Sequence, residues 1–187
     1  LAGENGSGKS TLIKIVSGVY DFDDGELFVD GKPVTDFGPR AAIASGIQVI
    51  YQDFSLFPSL TVAENLALNR LLSEGKTFAD PKRRRQLGAE ALARLDVAID
   101  LDATVGTLST ADRQIVAIAR ALMSDTRLLI VDEPTTALTG REVDRLFSIV
   151  REIQAKGIAV LFVSHKMREM LEISERIPAF RNGRKAA

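Results

Sequence analysis

Apolar residues recur every three or four positions in several stretches of the chain, and this spacing predicts amphipathic helices. The predicted helices are 9–17, 39–45, 61–72, one that starts at Pro81 and carries Leu87, Leu92 and Leu95, one that starts after Ser109, and one that starts after Thr139 and stops at Gly157. Their first residues carry capping signals, because Thr61, Ser109 and Thr139 are each followed three positions later by an acidic residue.

Three runs of consecutive apolar residues predict strands of a different kind. The runs are 47–51, 128–131 and 158–163. A strand that is apolar on both faces is typical of a parallel sheet covered by helices on both sides. The Asp30-Gly31 pair between β-forming residues predicts a small antiparallel hairpin. The pattern therefore predicts an α/β fold with a mostly parallel sheet, a small antiparallel β element and an inserted α-helical subdomain.

Composition adds limits to this picture. A chain of 187 residues with 45% hydrophobic and 26% charged residues is ordinary for a globular protein with one sizeable core. The net charge of −1 gives no general attraction to nucleic acid, and the absence of cysteine excludes disulfides and thiolate metal sites. The basic run 82–85 could form a nucleic-acid patch, but a solvated basic face is favoured because no aromatic residue is interleaved.

The first residues form the pattern G-x-x-x-x-G-K-[ST], which is a phosphate-binding loop. Its glycines let several backbone N–H groups point at one anion, and the helix that follows presents its positive end there. Lys9 can reach β- and γ-phosphate oxygens, and the Ser10 hydroxyl can ligate Mg²⁺. The alternative to a phosphate-binding loop is an exposed glycine turn before an ordinary helix. Because such a loop normally follows a buried strand and only Leu1 and Ala2 precede this one, we expect that strand to be missing.

Further polar residues come directly after the predicted strands, where parallel α/β sheets bind ligands. Gln52 follows the first strand, Asp132 and Glu133 the second, and His165 the third. Asp132 matches a carboxylate that binds Mg²⁺ directly or through water, and Glu133 matches a base that orients an attacking water. Each has a plain alternative: a polar strand exit for the two acids, a solvated amide for Gln52 and a structural role for the lone His165.

The whole ordered set resembles the ATP-binding subunits of ABC transporters. The motifs that carry the resemblance are 3–11, Tyr51-Gln52, Leu108-Ser109-Thr110-Ala111-Asp112-Arg113-Gln114, 128–134 and Ser164-His165-Lys166. It implies one ABC-type nucleotide-binding domain, with a P-loop NTPase core at 1–52 and 124–187 and a helical subdomain at 53–123. It further implies Walker A at 3–10, a Q-loop at Gln52, Walker B at 128–132, a D-loop near 137–139, and catalytic roles for Glu133, His165 and Gln52.

The resemblance also implies ligands and a dimer. ATP would be bound by Gly3, Glu4, Asn5, Gly6, Ser7, Gly8, Lys9, Ser10 and Thr11, and Mg²⁺ by Ser10, Gln52 and Asp132. Two domains would pair head to tail, so that Ser109 and Thr110 of one face the γ-phosphate held by the other.

Several segments are most similar to the importers of monosaccharides or related polyols. These segments are 3–6, 57–65, 133–138 and 163–167. This likeness implies transmembrane permease subunits docked on the helical subdomain, a periplasmic sugar-binding protein as an indirect partner, and no nucleic acid. It implies a peripheral position on the cytoplasmic face of the membrane, and a place as the first of two fused domains.

Three departures from the family pattern stand out. Thr110 and Ala111 replace two glycines of the signature motif, Thr139 replaces the D-loop aspartate, and no adenine-stacking aromatic precedes the loop. Two other functions therefore stay open. One is a soluble ABC ATPase of DNA repair or translation, and the other is an assembly subunit that binds ATP with little turnover.

Overall fold

The computed structural model describes residues 1–4, 6–75, 80–181 and 183–185. The helices in these ranges are α1 Lys9–Val16, α2 Pro39–Ala44, α3 Val62–Ser73, α4 Pro81–Ala93, α5 Thr110–Ala121, α6 Gly140–Ala155 and α7 Met167–Ile173. The strands are β1 Phe28–Val29, β2 Lys32–Pro33, β3 Ile47–Ile50, β4 Leu128–Asp132, β5 Ala159–Val163, β6 Phe180–Arg181 and β7 Arg184–Lys185. The predicted α/β class is confirmed.

A parallel sheet in the order β3-β4-β5 forms the centre of the molecule. Its middle strand is the most buried, since Leu129, Ile130 and Val131 are at most 1% exposed. Helices α5 and α6 pack against this sheet with their apolar faces, which contribute residues such as Ile118 and Phe147 to the core. All three strands run the same way, so the residues that follow them collect at one edge.

Leu1 and Ala2 extend this sheet. Ala2 pairs in parallel with Ser164, directly after β5, and on its other side with Ala179. The backbone N–H of Ala2 donates to the Pro178 carbonyl, and the Ala2 carbonyl accepts from the N–H of Phe180. The sequence predicted that the strand before the phosphate-binding loop would be missing. That expectation stays a prediction: Ala2 makes only isolated bridges here, and these anchor the start of the loop.

The small antiparallel element is also present as predicted. Strands β1 and β2 pair antiparallel, and the turn between them holds Asp30 at φ 54° and Gly31 at φ 73°. Two successive positive φ values are typical of the tight turns that match the twist of a hairpin. An ion pair between Arg127 and Asp30 ties the hairpin to the start of β4.

Helices α3, α4 and α5 pack together beside the sheet and form the insertion between β3 and β4. Gly88 permits the close approach of α4 to α3, because a Cβ there would lie 2.8 Å from Leu101 Cδ2 and 3.2 Å from Ala63 Cα. Thr61 and Glu64 form the predicted capping box at the start of α3. The exact limits 53–123 of a helical subdomain stay a prediction.

The basic run at the start of α4 is largely paired within the chain. Arg84 donates to Glu64 at 2.6 Å, Arg85 pairs with Asp102, and Arg83 donates to the Gln86 side chain at 3.2 Å. These contacts agree with a solvated basic face. Among the described residues, no helix combines the length and the apolar character needed to cross a membrane.

Candidate functional site

The phosphate-binding loop lies between the end of Ala2 and the first turn of α1. Gly6 has φ 80° and Gly8 has φ 100°, a left-handed conformation that favours glycine. Gly3 is required for space, because a Cβ there would lie 2.4 Å from Ser7 Oγ and 2.7 Å from the Phe180 carbonyl oxygen. The loop is therefore closed tightly around its own backbone. Asn5 also belongs to the predicted ATP-binding set, but it lies outside the described residues.

Lys9 sits inside this loop rather than on the surface. Its side chain is mostly buried, and Nζ donates to the Gly3 carbonyl at 2.6 Å and to the Glu4 carbonyl at 3.0 Å. Ser7 is also buried, and its Oγ has no hydrogen-bond partner. The loop thus contains a buried lysine that is bonded only to carbonyl groups and a buried hydroxyl without a partner, two polar groups that can bind an anion.

Part of the phosphate-binding loop, Gln52 and the two acids at the end of β4 line one cavity, whereas Gly3, Glu4, Ser7 and His165 are not among its lining residues. This cavity has a volume of about 280 Å³, and its lining residues are Gly6, Gly8, Lys9, Ser10, Thr11, Gln52, Asp132 and Glu133. A neighbouring cavity of about 390 Å³ shares Ser10, Gln52 and Asp132 with it. The loop and the ends of β3 and β4 therefore meet at one place, as the sheet topology requires.

Asp132 and Glu133 end β4 next to each other with different surroundings. Burial raises the pKa of the Asp132 carboxyl above its ordinary value, the neighbouring charge of Glu133 raises it further, and the Lys9 ammonium opposes both effects. Removing a buried carboxylate's solvent favours its neutral form unless a cation is near. Burial and the Glu133 charge therefore favour the neutral form of Asp132, and Lys9 favours its ionised form.

His165 lies against Glu133 across the end of the sheet. Its Nδ1 is 2.9 Å from Glu133 Oε2, and the Glu133 side chain is 15% exposed while that of His165 is 50% exposed. The Glu133 backbone has φ 49°, which is a strained conformation for a residue with a side chain. Glu133 Oε2 is buried without a hydrogen-bond partner, so His165 approaches it closely but does not form a well-aligned hydrogen bond with it.

Ser109 and Thr110, the predicted signature residues, do not line this cavity. Ser109 caps α5, because its Oγ accepts from the Asp112 N–H at 3.1 Å. The predicted reciprocal bond differs in detail: Asp112 Oδ2 accepts from the Ser109 hydroxyl at 3.0 Å rather than from the Ser109 N–H. Thr110 Oγ1 accepts from Arg113 Nη2 at 3.3 Å.

The segment after Gln52 has a backbone that the sequence did not predict. Phe54 and Ser55 have φ values of 60° and 49°. Two arginines of α5 contact Phe54: the Arg113 guanidinium lies 5.9 Å from its ring centroid, and Arg120 Nη2 donates to its carbonyl at 3.3 Å. Burial lowers the pKa of Arg120. The segment between Gln52 and the helices is thus held by the same helix that carries Ser109.

A hairpin near the end of the chain, also not predicted, forms one wall of the loop. The N–H of Gly183, in the turn between β6 and β7, donates to the Ser7 carbonyl at 3.0 Å. The sequence signal that could have found it is the Asn-Gly pair at 182–183, which favours a tight hairpin turn.

Comparisons with known proteins agree with this geometry. The profile of the family described as "ABC transporter" matches residues 1–136. The chain is 48% identical over 183 residues to "Ribose import ATP-binding protein RbsA 2" of Streptomyces avermitilis, covering 98% of this chain and 36% of the relative. It is 43% identical over 183 residues to "Putative ribose/galactose/methyl galactoside import ATP-binding protein" of Pseudomonas fluorescens, with the same two coverages. The chain therefore spans about a third of the length of these relatives.

Solved structures of ATP-binding cassettes have the same fold. The dimeric post-hydrolysis state of the cassette MJ0796 bound to ADP and phosphate is 26% identical, with a TM-score of 0.81 over 100% of this chain and 82% of that one. The ADP conformation of the cassette MJ1267 of an ABC transporter is 28% identical, with a TM-score of 0.83 over 100% of this chain and 77% of that one.

Proposed function

The chain belongs to the ABC transporter family, and from this premise we propose that it binds and hydrolyses ATP to drive the import of a monosaccharide or related polyol. The observation that carries the proposal is the single cavity lined jointly by the phosphate-binding loop, Gln52, Asp132 and Glu133. Relatives named as ribose import ATP-binding proteins support the substrate class.

In the proposed complex, the backbone of 3–11 surrounds the β- and γ-phosphates of ATP. The phosphates replace the carbonyl groups that now hold the Lys9 ammonium, and the Lys9 ammonium turns to their oxygens. The N-terminus of α1 adds donors for the same anion, and Ser7, whose buried hydroxyl lies beside Gly3 and not along the cavity, contributes through the loop backbone. Asn5 stays part of this proposal on the motif alone.

The residues beside the loop fit a magnesium ion. Ser10, Gln52 and Asp132 each offer an oxygen ligand, which is the ligand type that Mg²⁺ prefers, and all three line both cavities. A cation there also favours the ionised form of Asp132, whose pKa burial raises. When bound, the ion supplies electrostatic stabilisation of the charge that develops on the phosphate oxygens.

Glu133 is the proposed general base. Its carboxylate accepts a proton from the water that attacks the γ-phosphorus, a new P–O bond forms, and the bond to the β-phosphate oxygen breaks to give ADP and phosphate. His165, whose Nδ1 lies 2.9 Å from Glu133 Oε2, does not itself line the cavity, and in the proposed complex it contacts both this carboxylate and the γ-phosphate. Gln52, which lines the same cavity, is the residue proposed to orient this water.

The remaining parts of the proposal concern partners. A second nucleotide-binding domain, paired head to tail, would bring Ser109 and Thr110 to the γ-phosphate held by this chain. Transmembrane permease subunits would dock on the helical subdomain 53–123 at the cytoplasmic face of the membrane, with a periplasmic sugar-binding protein as an indirect partner. Internal pairing of the basic run 82–85 gives no support to a nucleic-acid partner.

The test is ATP turnover by the intact protein and by its Glu133→Gln variant. We expect the variant to lose turnover by about 100-fold or more while it still binds ATP, because the base is removed and the phosphate-binding loop is unchanged. Glu172→Gln, which removes an exposed carboxylate on α7, is the matched control. Equal turnover in both variants contradicts the role of Glu133. Tight ATP binding with negligible hydrolysis by the complete transporter would instead favour the hypothesis of an assembly subunit that binds ATP with little turnover.

A further inference from the structure

Three side chains form a hydrogen-bonded cluster just behind Glu133 and His165. Thr135 belongs to the turn that follows Glu133, Lys166 directly follows His165, and Glu169 lies in the first turn of α7. None of the three residues lines the cavity that the phosphate-binding loop helps to form. The cluster therefore joins the two segments that carry Glu133 and His165 without reaching the proposed nucleotide.

The contacts within the cluster form a closed ring. The Thr135 hydroxyl donates to Glu169 Oε2, and Lys166 Nζ lies 3.1 Å from Glu169 Oε1. Lys166 Nζ also donates to the Thr135 carbonyl at 2.8 Å. Each side chain thus contacts both of the others, or the backbone of one of them. A ring of this kind holds the turn after β4 against the helix after β5.

Burial makes these bonds stronger than surface contacts. Thr135 has no exposed surface, and the side chains of Glu169 and Lys166 are only 17% and 34% exposed. Hydrogen bonds in which one partner is ionised are shorter and stronger than neutral ones, and a low local dielectric strengthens them further. Exposed ion pairs, in contrast, contribute little. The pair between Arg151 of α6 and Glu172 of α7, with both side chains about half exposed, is such a contact.

The backbone around the ring needs such support. Glu133 holds φ 49°, and strained backbone conformations persist only where the surroundings constrain them. On one side the Glu133 N–H donates to the Val163 carbonyl, and on the other Thr136 Oγ1 donates to the Glu133 carbonyl. On the histidine side, the Lys166 N–H donates to the buried Ser164 Oγ at 3.0 Å. The ring adds a side-chain link between the segment that carries Glu133 and the segment that carries His165.

We propose that Lys166 and Glu169 are positioning residues that hold His165 close to Glu133 through their hydrogen bonds to Thr135. The inference rests on the proposed ATPase function and adds to it residues that act through the turn rather than on ATP. Loss of the ring lets the two segments separate, so the Glu133 carboxylate spends less time oriented for its water. ATP binding, which depends on the loop, is left in place.

The first test uses Thr135 in the intact protein. Thr135→Val keeps the shape of the side chain and removes the hydroxyl, whereas Thr135→Ser keeps the hydroxyl. Since small displacements of catalytic groups can cost up to about 100-fold, we expect Thr135→Val to lower kcat by about 10- to 100-fold with KM for ATP nearly unchanged. Thr135→Ser should restore most of kcat. Equal loss of kcat in the serine and valine variants overturns the hydroxyl's role.

The second test removes the charged members. Glu169→Gln and Lys166→Met should each lower kcat with KM nearly unchanged, and Glu169→Gln combined with Thr135→Val should lose no more than the single variants, because one ring is broken in each case. Glu172→Gln on the same helix is the control and should keep wild-type kcat. Independent, multiplying losses in the double variant, or an equal loss in the control, overturn the proposal.

The experiments distinguish a failure of the ring's positioning role from a failure of the proposed ATPase function. If the wild-type protein hydrolyses ATP and all the ring variants match it, the ring has no positioning role and the proposed ATPase function stands. If the wild-type protein shows no turnover, the proposed function itself fails. A variant that unfolds is recognised by its circular dichroism and replaced by the Lys166→Met variant, which leaves the buried Thr135 intact.

Discussion

Arg145 Nη1 lies 3.0 Å from Asp112 Oδ1, so helix α6 holds the acidic residue that pairs with the cap of helix α5. The other oxygen of the same carboxylate accepts from the Ser109 hydroxyl. Ser109 is therefore held directly by Asp112 of α5 and only indirectly, through Asp112, by Arg145 of α6. Its hydroxyl donates to Asp112, so under the proposed head-to-tail pairing a second domain would have to compete with that bond.

We expect Ser109→Ala to destabilise the protein by about 1 kcal/mol, the usual loss for removal of a helix N-cap. The unpaired N–H of Asp112 at the start of α5 is the physical reason. The free energy of unfolding in urea measures the change. Ser148→Ala is the control, since its hydroxyl only donates to a carbonyl within α6 and alanine is the better helix former. Equal destabilisation by both variants contradicts the cap.

Gly3→Ala should destabilise the protein by about 1 to 3 kcal/mol, the usual cost of overpacking, and weaken ATP binding. The added methyl group would collide with Ser7 Oγ and with the Phe180 carbonyl, both of which belong to the wall of the loop. Thermal unfolding and titration with ATP measure the two effects. Gly140→Ala meets no atom within 4 Å at the start of α6 and should leave both quantities unchanged.

Acid should weaken the fold partly through Glu64. The Thr61 backbone N–H and hydroxyl, followed by the charge of Arg84, hold the pKa of the Glu64 carboxyl below its ordinary value of 4.5. A group with a lowered folded-state pKa contributes stability that is present above its ordinary pKa and is lost as the pH falls through the folded-state value. The midpoint temperature of thermal unfolding should therefore fall more steeply below pH 4.5 for the wild-type protein than for Glu64→Gln.

Parallel curves for the two proteins between pH 7 and pH 3 would contradict this role of Glu64. Glu172→Gln removes a carboxylate of equal charge from an exposed pair on α7 and should follow the wild-type curve. The comparison separates the effect of the capping box from the general effect of one lost negative charge.

Local signals were enough to predict most of the elements. Caps such as Thr61 and Asp80 mark helix starts because the side chain that satisfies the first N–H groups is encoded within a few residues. The apolar runs of β3, β4 and β5 predict a buried parallel sheet, and the polar residues after them then meet at one edge. The grouping of Gln52, Asp132 and Glu133 follows from topology alone.

Other features depend on contacts between distant segments, which no short pattern encodes. The left-handed backbone of Phe54 is held by arginines of α5, and the strained Glu133 by bonds to β5 and to the following turn. No short pattern links Lys166 and Glu169 to Thr135. Their partner Thr135 comes from a turn that becomes their neighbour only when β4 and β5 pair.

The hairpin β6–β7 gives the proposed nucleotide cradle a wall from the far end of the described chain. Gly183 bonds to Ser7, and the Phe180 carbonyl limits residue 3 to glycine. Natural substitutions that reshape this hairpin would therefore retune ATP affinity while leaving every residue of the loop motif untouched. Two proteins with identical loop motifs can accordingly differ in how much cellular ATP they need to become saturated.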